Sequence, residues 1–296
     1  MLDEHRPDVI FHLAALPIVR TSYAEPVVTF ETNVMGTVAL LDAVRRAGRP
    51  CRVVVITSDK CYRDQHVHWG YREDDPLGGS DPYSASKGAQ ELVTAAYRKS
   101  YFGAAGPLDG GVRLGSARAG NVIGGGDWAD QRIVPDAMRA LAAGDELVVR
   151  NPEATRPWQH VLSPLSGYLL LGASLDGPDG HDVADSWNFG PSGGAWPVRR
   201  LVETALDEWG GGAWRAEPAA DGLAEAGLLS LSIDRARSLL GWEPVWDTET
   251  SIRRTVRWYR RVHDARADPA EAVAGCTDDL EAFENAATDQ SLDWFT

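Results

Sequence analysis

Cysteine is scarce and cannot be fully paired: Cys51, Cys61 and Cys276 make an odd set with no CxxC spacing. That excludes a disulfide framework and suits a reducing compartment. No apolar run approaches 18 residues, and no charged-then-apolar leader stands at the N-terminus. Neither a membrane span nor an export signal is expected, and the expected location is the cytoplasm. Basic residues number 29 against 43 acidic, for a formal net charge of −14. That balance argues against nucleic acid and against an anionic membrane surface as partners. An anionic substrate would need a local basic pocket set against this field. No metal site is expected. Also missing is a glycine-rich turn between a strand and a helix, the unit that holds a dinucleotide diphosphate. Gly124 to Ala129 fits G-x-G-x-x-A literally, but Asp127 would set a carboxylate beside the diphosphate, and the helix pattern starts only near Ile133.

What is present is a globular composition, 44% apolar and 24% charged over 296 residues, enough for one large domain or two small ones. The chain is organised around residues 51–88. Val53 to Ile56 is a β-branched apolar run that reads as a buried strand, and it stops at the polar cluster Thr57, Ser58, Asp59, Lys60. After a Gly/Asp/Pro-rich loop, Tyr83 to Lys87 reads as the first turns of a helix, with Ser80 or Asp81 near its cap and Pro82 at its opening.

Tyr83 and Lys87 are four apart, so a helix puts them on one face. Tyrosine titrates near pH 10, and acting as a base near neutrality needs a shift of about 3 pH units, or about 4 kcal/mol. A lysine cation about 4 Å away at an effective dielectric of about 20 supplies roughly that much. The pair follows a buried strand whose end carries Ser58, Asp59 and Lys60, and open α/β sheets place their sites at such strand ends.

Elsewhere, 8–15 reads as a buried strand, with His12 a hydrogen-bonded strand-end residue rather than a catalyst. Residues 26–48 read as a helix with apolar Val27, Phe30, Val34, Val38, Leu41 and Val44 at helical spacing, ended by Gly48. Asn33 on it is either turned inward or solvated. Residues 83–101 continue the Tyr83 helix, 103–111 form a loop, and 112–119 a strand. Further helices are expected at 135–143, 162–175, 197–209 and 248–263, and strands at 146–150, 186–190 and 228–233. From 264 to 296 the chain is Ala-rich and acidic and reads as a partly helical, partly disordered tail.

The stretches TSDKCY, WGYRE and DPYSASKG, with TNVMGT, ARAGNVIGGGDW, RIVPD, RPWQHVL and LLGWEP, resemble the extended short-chain dehydrogenase/reductase family. Within it they are most similar to the branch that dehydrates CDP-glucose. The resemblance covers about residues 7 to 262. It implies an α/β fold: a Rossmann-like doubly wound parallel sheet lacking its first strands, with a smaller α+β substrate domain. The implied division is 1–150 for the incomplete dinucleotide-binding domain, 151–263 for a substrate lobe interleaved with it, and 264–296 for the tail. The family's sheet has three strands and the glycine-rich turn ahead of the one at 8–15, so a longer enzyme is expected; the alternatives are a sugar-nucleotide-binding or scaffold relative without catalysis, or another NDP-sugar epimerase or dehydratase.

The resemblance also implies NAD as cofactor and a CDP-sugar as substrate. Tyr83, Lys87, Ser58, Asp59 and Lys60 take the catalytic positions. Ala14, Ala15, Asn33 and Thr57, with Tyr83 and Lys87, lie toward the cofactor. Asn121, Arg132, Arg156 and His160 lie toward the sugar nucleotide. Related dehydratases carry Glu where this chain has Lys60. Helices 26–48 and 83–101 are implied to form the interface of a homo-oligomer, a dimer built as a four-helix bundle.

Overall fold

The computed structural model describes residues 2–65, 67, 69–103, 111–217 and 229–295. The chain divides into two units. The first comprises 1–119, 166–189 and 232–242; the second comprises 120–165, 190–231 and 243–296. The first boundary thus falls after Ala119 instead of near 150, and the acidic tail belongs to the second unit.

The first unit is a four-stranded parallel sheet. In it β1 (Val9–His12) pairs with β2 (Cys51–Ile56), β2 with β3 (Val112–Ala119), and β3 with β4 (Ser186–Phe189). Parallel neighbours need crossovers, and helices supply them. Helix α1 (Pro26–Ala47) joins β1 to β2, α2 (Pro82–Tyr97) joins β2 to β3, and α3 (Leu162–Asp176) precedes β4. Val53, Val54 and Val55 are fully buried, as a central strand covered on both faces requires. Val53 and Val55, with Leu41, Val44 and Leu114, build one core cluster. On the other face α3 comes close enough that Gly172 meets the Phe11 ring and Gly115 meets Leu171.

Helix α1 runs through a π-type turn at Glu31–Met35 and ends at Gly48, whose φ of 60° suits glycine. Its apolar stripe divides. Leu41 and Val44 are buried, whereas Val27 is 66% and Met35 56% exposed. By length and composition α1 could cross a membrane. Its polar residues Asn33 and Thr37 are nevertheless buried and hydrogen-bonded inside the first unit. Short helix Asp234–Leu240 closes this unit; ahead of it the expected strand at 228–233 is corrected, because Ser232 makes a single backbone bond to Tyr71 and residues 229–230 and 232–233 are not strand. Residue 228, like most of the loop expected over 103–111, lies outside the described residues.

The second unit is built on α5 (Thr248–Asp264), with α4 (Val198–Trp209) and helix Ile133–Ala143 beside it. Its core holds Met138, Leu201, Ile252, Val256, Trp258 and Val262. Short strand pairs surround it: Leu147–Val149 with Trp214–Ala216, Val122–Ile123 with Gln159–His160, and Thr155–Arg156 with Trp196–Pro197. The tail expected to be partly disordered is instead one 21-residue helix, α6 (Pro269–Asp289), capped by Asp268. It is held by packing: Phe283 and Ala287 close a cluster with Val245 and Trp246, and Trp294 adds to it.

Gly125 shows how tightly this unit is built. A Cβ there would lie 2.2 Å from the Trp258 ring. Gly125→Ala is expected to cost roughly 3 kcal/mol of stability, within the range for overpacking. A denaturant melt within about 0.5 kcal/mol of the parent would contradict that packing.

Candidate active site

β2 ends at Ile56, and Thr57 to Lys60 turn away from the sheet. Ser58 is extended and caps the short turn Asp59–Cys61: its hydroxyl oxygen accepts from the Lys60 N–H at 3.2 Å and donates to Asp59 Oδ1 at 2.8 Å. Asp59 is only 3% exposed. Opposite this turn α2 begins, capped by Asp81, whose carboxylate accepts from the Ser84 N–H, with Pro82 in its first turn. Gly88 lets the two meet, since a Cβ there would lie 3.2 Å from the Cys61 carbonyl oxygen. The turn bearing Asp59 therefore packs on α2 one residue beyond Lys87.

Tyr83 and Lys87 are both buried. Lys87 donates to the Ile56 carbonyl at 3.3 Å and to Gln90 Oε1 at 3.0 Å. Burial lowers its ammonium from 10.5 to about 8, partly opposed by the Glu91 charge. Tyr168 on α3 marks where phenol and acid converge. Its hydroxyl is raised well above the usual phenol range by burial first, then by Tyr83 and by Asp59. Tyr83 and Asp59 thus both lie within electrostatic reach of Tyr168. No sequence signal pointed to Tyr168, because α3 is apolar all round and displays no preferred face.

The β1 side completes this region. Asn33 is fully buried, which resolves it as inward-turned. It accepts from the Leu16 N–H and donates to the Leu16 carbonyl and to Ser86 Oγ, tying the loop after β1 to α2. Ala14 on that loop is exposed and Ala15 half-buried. His12 shares a 3.0 Å hydrogen bond with Thr37, as a strand-end residue, and its imidazole is lowered by burial and then by Lys87. Gln90 also donates to Thr37.

A second layer, missed in the sequence, holds these elements. Glu91 and Arg118 form a 2.8 Å ion pair, each side chain 3% exposed. Thr57 and Ser116 donate to the same carboxylate. Arg118 continues to Tyr62 and to the Glu73 carbonyl, and Tyr62 to Asn188.

The expected substrate residues lie in the second unit, and they differ among themselves. Asn121 is half-buried. Arg132 is partly exposed and bonded to Asp127 at 2.8 Å. Arg156 is buried and donates to the Thr155 carbonyl. His160 is 2% exposed, edge-on to Trp246 at 4.9 Å and 3.6 Å from Asp279 of α6. It is packed inside its unit in this structure.

The residues suit the nicotinamide end of a dinucleotide: a buried cation and phenol, with the open end of β1 beside them. Among the described residues, no strand–glycine turn–helix unit suits its diphosphate. The literal match at Gly124 to Ala129 faces protein instead, with Gly124 on Val161 and Gly125 on Trp258. Among the described residues no cluster of metal-ligating side chains occurs.

The chain is similar to known proteins. The family described as GDP-mannose 4,6 dehydratase matches residues 1–171. CDP-glucose 4,6-dehydratase of Salmonella typhimurium is 45% identical over 258 residues, covering 87% of this chain and 72% of that protein. dTDP-glucose 4,6-dehydratase of Streptomyces antibioticus is 30% identical, over 86% of this chain and 70% of that protein. The structure of dTDP-glucose 4,6-dehydratase from Streptomyces venezuelae, solved with NAD bound, superposes with a TM-score of 0.71 at 28% identity, covering 86% and 73% of the two chains. The chain belongs to the sugar-nucleotide 4,6-dehydratases of the extended short-chain dehydrogenase/reductase family.

Proposed function

We propose that this chain carries the machinery of a CDP-glucose 4,6-dehydratase, a hydro-lyase that forms CDP-4-dehydro-6-deoxy-D-glucose, and that it works in the cytoplasm. The observation that carries the reading is the convergence of Tyr83, Lys87 and the Ser58–Lys60 strand end at one place in the first unit. NAD, when bound, would supply the hydride acceptor at sugar C4 and the donor at C6. Tyr83, Lys87, Thr57, Asn33 and the Ala14–Ala15 backbone are the residues here that would hold its nicotinamide end.

The remaining chemistry belongs to the side chains. Tyr83 takes the proton of the C4 hydroxyl, aided by the Lys87 cation. Ser58 hydrogen-bonds the C4 oxygen. The 4-keto group acidifies the C5 hydrogen, and elimination of water across C5–C6 needs a base at C5 and an acid at the C6 oxygen. Asp59 and Lys60 share those two tasks. Asn121, Arg132 and Arg156 are the candidates for the sugar nucleotide, the arginines for its diphosphate.

The test is incubation of the purified chain with NAD and with CDP-, dTDP- or GDP-sugars, scoring 4-keto product and retained NAD. Turnover of CDP-glucose is expected to exceed that of the others by at least tenfold. A chain that keeps NAD yet leaves all of them untouched contradicts the reading.

The exposed stripe of α1, with Val27 and Met35, and Leu92 on α2, 62% exposed, fits a dimer formed by these two helices. Met35→Glu with Leu92→Glu is expected to shift the chain to monomer in analytical ultracentrifugation. An unchanged dimer would place the interface elsewhere.

A further inference from the structure

The buried Glu91 carboxylate meets every element that carries the proposed chemistry. It lies one turn beyond Lys87 on α2. One oxygen accepts from Thr57, the residue immediately before Ser58, Asp59 and Lys60. The other accepts from Ser116 and from Arg118, each at 2.8 Å, on β3. A buried ion pair is a weak source of net stability, because desolvation offsets most of the attraction. The carboxylate's three hydrogen-bonding partners do, however, fix one geometry.

We propose that Glu91 is a positioning residue: through Thr57 it holds the Ser58–Lys60 turn in register with Tyr83 and Lys87, so that proton removal at C4 and elimination at C5–C6 occur in one site. Glu91 touches no substrate; it acts through the Thr57 hydroxyl. That hydroxyl has one proton, directed to Glu91, while the Thr57 N–H bonds the Ala117 carbonyl at 2.8 Å and so anchors the main chain to β3. Loss of the side-chain bond frees the turn and leaves the strand in place.

The kinetic arm of the test rests on the dehydratase reading; a second arm does not. Thr57→Val removes the donor without disturbing the charges, and Thr57→Ser restores it. Glu91→Gln combined with Arg118→Met removes both charges together. With CDP-glucose, Thr57→Val and the double variant are expected to lose at least tenfold in kcat with KM within threefold. They should also release sugar that has lost hydrogen but not water, detected by mass. Thr57→Ser, which keeps the hydroxyl, should recover most of the kcat that Thr57→Val loses. The independent arm is amide exchange on the chain alone: the Lys60 and Cys61 amides should exchange at least tenfold faster in Thr57→Val, with the β2 amides unchanged.

Parental kcat and coupling in Thr57→Val, or in the double variant, would overturn the proposal. So would equal loosening of β2 and the turn, the signature of a merely structural role. Should the parent chain turn over no sugar nucleotide, the dehydratase reading falls, and the exchange arm still decides whether Glu91 positions the turn.

Discussion

Tyr83→Phe is expected to lower kcat by at least ~10³-fold while the affinity for CDP-glucose stays within about threefold, a loss within the range for a positioned general base. The ring keeps its packing because only the hydroxyl goes. Tyr83 is buried, and its main-chain N–H is held by Ser22 Oγ at 3.1 Å, a contact the substitution leaves alone. Steady-state kinetics, with calorimetry of the nucleotide sugar, separates the two quantities. Loss of binding along with kcat would make Tyr83 a substrate-holding residue, and retained turnover would remove it from the chemistry.

Lys87→Met is expected to do two opposite things: lower kcat by about 10² to 10⁴ and raise stability at pH 7. Lys87 is 2% exposed, and burial lowers its ammonium from 10.5 to about 8. An unfolded chain protonates this amine below about pH 10.4, the folded chain only below about pH 8. The folded state therefore carries the cost of the buried charge in full at pH 7. That cost shrinks between pH 8 and 10.5 and vanishes above. The displacement corresponds to about 3 kcal/mol. Loss of the bonds to Ile56 and Gln90 offsets about 1 kcal/mol of it. A net gain of about 2 kcal/mol at pH 7, fading by pH 10, is the expected result of denaturant melts. A variant less stable than the parent at pH 7 would mean that the ammonium is favourably paired in the fold.

The sequence carried much of this site in plain form. The run Val53–Ile56 followed by polar residues reads as a buried strand ending in a polar turn, and Asp81-Pro82 ahead of Tyr83 is a helix start by its chemistry. The parallel sheet followed from the family resemblance, and its strand order only from the fold. Glu91 was not legible, because a glutamate one turn beyond Lys87 on an amphipathic helix reads as solvent-facing. Only the fold brings Arg118 of β3 beneath it. The surroundings of His160 were hidden for the complementary reason: Asp279 and Trp246, which pack on it, are remote in sequence. The α6 helix has a composition of weak intrinsic order, and what fixes it is Phe283 and Ala287 packing on Val245 and Trp246.

The account rests on hydride leaving and re-entering the same sugar while Tyr83 and the Asp59–Lys60 turn handle the protons. CDP-glucose carrying deuterium at C4 tests it most directly. The chain supplied with NAD should form a 6-deoxy product with the deuterium at C6. Product with deuterium lost to water, or a chain holding NAD that forms none, would contradict it.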